Sequence, residues 1–255
     1  MYSVTIIGAG KLAANLAHAI ENSGNKLCLV INRDQNKARL IAEKYGVEWK
    51  SDFSKRITSD FCILAVADDA IPEVLAKCNF GQSIVLHSSG STSIQIFPEN
   101  MLYCGVLYPF QTFSASDLTN LLNIPVYIEA RNAQILARIE SFAKTLSGKV
   151  QYLTSEKRAA MHLAAVFACN NVNYMLTVAG RILKDQNLPE TVLKHLVEET
   201  IRKAFSNGAA ESQTGPAFRN DVGIKEKHLQ LLTGTGFENL YAFLFDSIRD
   251  YYRNK

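Results

Sequence analysis

Val4-Thr5-Ile6-Ile7 is a short β-branched run, and Gly8-Ala9-Gly10-Lys11-Leu12-Ala13 follows it directly, leading into an Ala/Leu-rich stretch that reaches His18. Such a run predicts a buried parallel strand. Gly8 allows the tight turn out of it at positive φ. Gly10 lets the backbone approach a ligand closely, and Ala13 keeps the following helix packed on the strand. Without a ligand the pattern is only a tight strand-to-helix turn. Its place directly behind a strand points to a dinucleotide, whose pyrophosphate would sit on the helix N-terminus. Lys11 and Leu12, at the start of that helix, join Gly8 and Gly10 as expected cofactor contacts.

Alternation continues for some 150 residues. Strands are expected at Leu27–Ile31, Val47–Trp49, Phe61–Val66, Ser83–His87, Leu102–Leu107, Val126–Glu129 and Val150–Leu153, with helical spacing between most of them. That order predicts βαβ units and a doubly wound, mostly parallel Rossmann sheet, an α/β class. Beyond Thr154 strand signals stop and helices are expected at Ser155–Gln186, Pro189–Phe205 and Phe237–Tyr252. The expected domains are therefore a dinucleotide-binding domain over 1–153 and an all-α substrate and dimerisation domain over 154–255.

Composition narrows the function classes. The 255 residues carry a net charge of +3 with 47% hydrophobic residues, and no basic block suggests nucleic acid. No apolar run reaches the ~18 residues of a membrane span, and the N-terminus enters a strand at once, so a cytoplasmic protein with no membrane partner is expected. Five scattered cysteines and five scattered histidines give no CxxC or HxxxH spacing, so no metal site is expected.

The end of the second strand selects the cofactor. A carboxylate there would hold the ribose hydroxyls of NAD; this chain has Asn32 and Arg33 instead. Arg33 can pair with a 2′-phosphate through bonds worth roughly 1.5–3 kcal/mol, enough to prefer NADP (NADPH). Asp34 is expected to cap the next helix. Ligands of open α/β sheets bind beyond the carboxyl ends of the strands, which draws Ala67, Asp68, Ser88 and Ser89 toward one crevice. His87 reads as a core histidine, and the aromatic stretch Tyr108–Phe113 as a second candidate edge of the site, although a loop of that character more often packs than catalyses.

In the helical half, Arg158, His162 and Asn173 fall on one face at about 100° per residue, with Asn170 bordering it. Polar groups on so apolar a helix need partners, either neighbouring helices or a substrate and its proton donor. A second cluster, Gln213–Asp221, is expected to start a helix at Thr214-Gly215-Pro216, with Arg219 near that start to hold a substrate carboxylate.

Four stretches carry a family resemblance: Gly8–Ala13, Ala65–Ile71, His87–Ser91 and Thr214–Asp221. Together with the His162/Asn170 helix they resemble the bacterial oxidoreductases that join a Rossmann-like domain to a helical domain of unknown function. More distantly the chain is similar to 6-phosphogluconate and 3-hydroxyisobutyrate dehydrogenases and to pyrroline-5-carboxylate and ketopantoate reductases. In several of those, a Lys and an Asn one turn later on a helix of the second domain serve catalysis. Here that spacing is not reproduced, and His162 takes the place by role. The family often has His-Pro where this chain has Tyr108-Pro109.

The resulting expectation is an NADP-dependent oxidoreductase that reduces a small carboxylate-bearing 2-oxo acid (ketopantoate-like) or an imine. His162 would be the proton donor. Asn170 and Ser89 would orient the reacting group, and Arg219 with Thr214 would bind substrate. The alternative is a non-catalytic NADP-binding sensor or assembly protein. A homodimer through the helical domain is expected from the aromatics on more than one face of Phe237–Tyr252.

Overall fold

The computed structural model describes residues 1–114 and 118–253; residues 254 and 255 of the expected helical domain lie outside them. Two compact units emerge, Met1–Cys169 and Asn170–Lys255.

The first unit is built on eight strands in the order β3-β2-β1-β4-β5-β6-β7-β8. They are β1 (Ser3–Ile7), β2 (Lys26–Ile31), β3 (Glu48–Lys50), β4 (Phe61–Leu64), β5 (Ile84–His87), β6 (Cys104–Pro109), β7 (Val126–Ala130) and β8 (Val150–Tyr152). Every neighbouring pair is parallel except β6 and β7. The first six follow the order of a dinucleotide-binding sheet, whose strand order reverses beside β1. Every residue of β4 and β5 is buried, as expected of strands covered on both faces.

Helices cover those faces. Helices α1 (Lys11–Asn22), α2 (Gln35–Tyr45) and α4 (Ala133–Leu146) close one of them over Val4, Ile6, Leu27, Ile63 and Phe142. On the other, α3 (Ile71–Lys77) packs Ile71 and Val74 with Ile7, Leu64, Val85 and Phe97. Local chemistry sets the helix ends. The Asp34 carboxylate accepts from the backbone N–H of Asn36 and Lys37 to start α2, as expected, and Gly46 ends it at φ 64°. Asn132 caps α4 through Ile135 N–H, 2.9 Å away.

β8 ends at Tyr152, just before the expected boundary at 154, and the first compact unit runs on to Cys169. Helix α5 (Ser155–Ala165) stays with the sheet because Arg158, only 1% exposed, pairs with Glu129 on β7.

The expected helical stretch over Ser155–Gln186 forms as a continuous run to Asp185, made of α5, a π-helical segment at Val166–Asn171, and α6 (Val172–Asp185). Arg158 and His162 lie one turn apart on α5, and the π turn interrupts the 100° step between them and Asn173. By length and composition, Ser155–Asp185 could cross a membrane.

The second unit contains α6, α7 (Lys194–Asn207), α8 (Val222–Leu231) and α9 (Glu238–Arg253). Thr214 does not start a helix. Gly215 takes φ 106°, residues 216–220 form turns, and the next helix, α8, begins at Val222 under an Asp221 cap that accepts from Ile224 N–H. A glycine in that conformation stops helix propagation from Thr214, and Asp221 takes over the capping role.

Candidate functional site

Gly8 leaves β1 at φ 122°. A Cβ there would lie 2.1 Å from the Ala65 carbonyl oxygen, so only glycine lets the turn nest against the chain leaving β4. Gly10 differs: a Cβ on it would meet nothing within 4 Å. Gly10 caps α1 with no side-chain hydrogen bond, and the first turn carries no acidic residue. Its N–H groups and partial positive charge therefore face open space. That space is a groove of about 650 Å³ lined by Gly8, Gly10, Lys11, Asn32, Arg33 and Ala67. A bare helix N-terminus at one end and cations at the other fit a phosphorylated dinucleotide.

Asn32 lies at the end of β2, where its Nδ2 donates to Asp34 O at 3.0 Å. Arg33 is 70% exposed, its Nη1 3.4 Å from Glu73 Oε2. So open a pair is weak, leaving the guanidinium free to turn to a phosphate. Lys37 lines the same groove, a third cation, beside Lys11 and Arg33, that motif reading missed. Its signal was its place in the first turn of the helix that Asp34 caps.

A second pocket of about 260 Å³ opens past the carboxyl ends of β4, β5 and β6. It shares Val66 with the groove and is lined by Asp68, Ser88, Ser89, Gly90, Tyr108 and His162, together with Leu12. Leu12, Asp68 and Ser88, expected as cofactor contacts, thus line this pocket, and Ser89 and His162 are brought together in it.

Charge and hydrogen bonding here are specific. Ser89 Oγ donates to Asp68 Oδ2 at 2.7 Å and Ser91 Oγ to the same oxygen at 2.6 Å. Burial opposes ionisation of Asp68, but hydrogen bonds from Ser91, Ser89 and Thr92, with His87 nearby, together outweigh it and hold the carboxyl below its usual pKa. The Ser88 hydroxyl is buried with no partner among the described residues, which marks a place for a polar ligand atom.

His87 is fully buried, and Ser89 N–H donates to its Nδ1 at 3.3 Å. Burial and nearby Arg158 outweigh Asp68 and push its pKa down to about 3. It is a neutral core residue, as its place at the end of β5 suggested.

Tyr108 belongs to the second candidate edge, and instead of only packing, its hydroxyl lies 3.0 Å from His162 Nδ1. The signal was a polar aromatic at the carboxyl end of a strand, the same end that carries Ser88 and Ser89.

Arg158 faces inward. Its Nη1 meets Glu129 Oε2 at 2.5 Å and its Nη2 donates to Thr92 O at 2.6 Å. Ser155 Oγ donates to the same carboxylate at 2.8 Å. Of the two kinds of partner foreseen for this helix, neighbouring helices or substrate, Arg158 takes neither: it binds the sheet.

The other expected site residues belong to the second unit. Asn170 lies exposed in the π-helical segment, and Thr214 and Arg219 are in the turns before α8. Arg219 N–H donates to Gly215 O at 3.2 Å, and its side chain forms no ion pair with Asp221 among the described residues.

The comparisons agree with this geometry. Residues 3–88 match the family model "NADP oxidoreductase coenzyme F420-dependent", and residues 124–248 match a domain of unknown function, DUF2520. No curated protein matches the chain in sequence. A Bacteroides fragilis protein assigned as an NADP oxidoreductase is 34% identical over 98% of both chains, with a TM-score of 0.91. Two solved structures share the fold at low identity. An imine reductase from Myxococcus stipitatus, in complex with NADP+, is 15% identical over 99% of this chain and 93% of its own, with a TM-score of 0.69. A reductive aminase from Aspergillus terreus, in complex with NADPH and ethyl-5-oxohexanoate, is 16% identical over 99% and 100%, with a TM-score of 0.72. With its bare α1 N-terminus, its basic groove end and that close relative, the chain belongs to the NADP oxidoreductases that join an F420-type NADP-oxidoreductase domain to a DUF2520 domain.

Proposed function

We propose that this NADP-dependent reductase acts on the C=N bond of a small imine in the pocket beside Asp68. NADPH, held by Gly8, Gly10, Asn32 and Arg33, supplies a hydride when bound. His162 in its protonated form gives the proton that turns the neutral imine into the iminium that accepts hydride, and the unpartnered Ser88 hydroxyl and Ser89 fix the polar end of the ligand.

One observation favours an imine over a 2-oxo acid. Asp68 is the single Asp, Glu, Lys or Arg among the described residues lining the pocket, and its hydrogen bonds keep it ionised. An anion there attracts a cationic iminium and repels a carboxylate. The imine reductase and reductive aminase that share the fold support the same reading. Replacing Asp68→Asn keeps an acceptor for Ser89 and Ser91 and removes the charge. It is expected to lower kcat/KM for imines tenfold or more and to narrow the gap to 2-oxo acids; an unchanged ratio would count against the reading.

A homodimer through the helical half completes the proposal. Tyr174, Leu176, Ile182, Leu196, Ile201 and Phe205 are large apolar residues exposed on α6 and α7, which favours burial against another chain. Light scattering giving a monomer mass would overturn that part.

A further inference from the structure

Tyr108 and His162 come from sequence positions 54 residues apart and meet at a single contact, Tyr108 Oη to His162 Nδ1 at 3.0 Å. Their rings stand edge to face, 6.1 Å between centroids. Gly90 closes over that contact. A Cβ on Gly90 would lie 2.5 Å from His162 Nδ1 and 2.8 Å from Tyr108 Oη, so any side chain at position 90 would enter the space the pair occupies.

The direction of the bond follows from donor counting. A phenol has one hydrogen and the neutral imidazole one N–H. Among the described residues, Nδ1 is the only hydrogen-bond partner of the Tyr108 hydroxyl. If Nδ1 carried the ring hydrogen, the hydroxyl hydrogen would have no protein acceptor at a half-buried position. Burial also raises the Tyr108 pKa, against the lowering effect of Arg158, so the group stays a phenol. With Tyr108 O–H donating to Nδ1, both atoms of the contact are paired, and the one hydrogen left without an acceptor among the described residues is Nε2–H, which stays available to a ligand.

We propose that Tyr108 is a positioning residue for His162: with Gly90 giving it room, its hydroxyl engages Nδ1 and leaves Nε2–H as the group presented to a ligand in the pocket. The hydroxyl can rotate its hydrogen, so it can hold the ring after His162 gains a proton too, accepting from Nδ1–H while Nε2–H still faces the pocket. The choice of tautomer by the partner of the other ring nitrogen is general to histidine. This inference rests on the reading of the pocket as the substrate site, but its first test does not.

That test is the nitrogen-15 spectrum of the His162 ring in the cofactor-free protein, assigned with His162→Gln. At a pH where the ring is neutral, the wild type is expected to show a protonated Nε2 and a bare Nδ1. Tyr108→Phe is expected to mix the two tautomers, and Gly90→Ala to do the same by displacing the pair. A protonated Nδ1 in the wild type, or an unchanged tautomer in Tyr108→Phe, would overturn the inference.

The second test is kinetic. With an imine that the wild type reduces, Tyr108→Phe is expected to lower kcat tenfold or more while KM and NADPH affinity change less than twofold. A change in KM alone would assign Tyr108 to binding and reject the positioning role. If the wild type reduces no imine, the substrate reading fails while the spectrum still decides the tautomer.

Discussion

Arg158 of α5 and Glu129 of β7 form an ion pair inside the protein, their side chains 1% and 8% exposed. Ser155 and the Thr92 carbonyl add hydrogen bonds to it, while Arg158 Nε is buried with no partner among the described residues. The pair lies one helical turn before His162, so it holds the strand, the helix and the wall of the small pocket in one piece. Removing one partner leaves a buried charge, which typically costs about 3–5 kcal/mol. Arg158→Met is therefore expected to lower the unfolding free energy by that order in urea titration. Arg158→Met with Glu129→Leu is expected to recover part of it. A single-variant loss below about 1 kcal/mol, the size of an exposed pair, would show that the charges are not desolvated.

Two glycines of one motif should behave differently. Gly8→Ala places a Cβ 2.1 Å from the Ala65 carbonyl oxygen at a φ of 122°, so it is expected to destabilise the fold. Gly10→Ala meets nothing within 4 Å. It is expected to leave the melting temperature of the cofactor-free protein unchanged and to weaken NADPH binding tenfold or more. Equal effects of the two on stability would contradict the division of labour.

Arg33 is held only by an exposed contact to Glu73, so its main role is expected with cofactor present. Arg33→Ala should raise the NADPH dissociation constant tenfold or more, the effect of losing a charge-assisted bond of roughly 1.5–3 kcal/mol. NADH affinity should change little, because NADH lacks the 2′-phosphate. Calorimetry with both cofactors checks this; an equal loss for each would remove Arg33 from that role.

His87 gives stability a pH dependence. Its folded pKa of about 3 lies below the ordinary histidine value of 6.5, so between those values the unfolded chain binds a proton that the native protein does not. Stability from this group is intact above 6.5 and declines as pH falls toward 3. At pH 5 the loss is about 2 kcal/mol, from about 1.4 kcal/mol per pH unit. His87→Gln should show a correspondingly shallower decline between pH 7 and 5 in chemical denaturation. Parallel curves would mean that His87 is already charged in the native protein.

The sheet was legible in the sequence because its signals are local. Apolar runs such as Phe61–Leu64 are buried on both faces, and all eight expected strands form. The groove was legible for the same reason, since Gly8, Gly10 and Arg33 sit at fixed distances along one βαβ unit. The pocket was only half legible: Ser88 and Ser89 follow a strand, but the Tyr108–His162 contact depends on tertiary folding. Helical periodicity misread Arg158 because it looked for partners on other helices or on a substrate, whereas its carboxylate is on β7; the π turn interrupts the periodicity only beyond His162, before Asn173. The start of α8 was misread because Thr-Gly-Pro resembles a helix start, while Asp221 offers the better cap.

The account depends most on a cationic C=N group being the substrate of the pocket beside Asp68. The direct measurement is steady-state NADPH oxidation by the wild-type protein with a cyclic imine and with a panel of 2-oxo acids, ketopantoate included. The account predicts saturable turnover of the imine with kcat/KM at least tenfold above every 2-oxo acid. Turnover of 2-oxo acids alone, or of neither class, would contradict it.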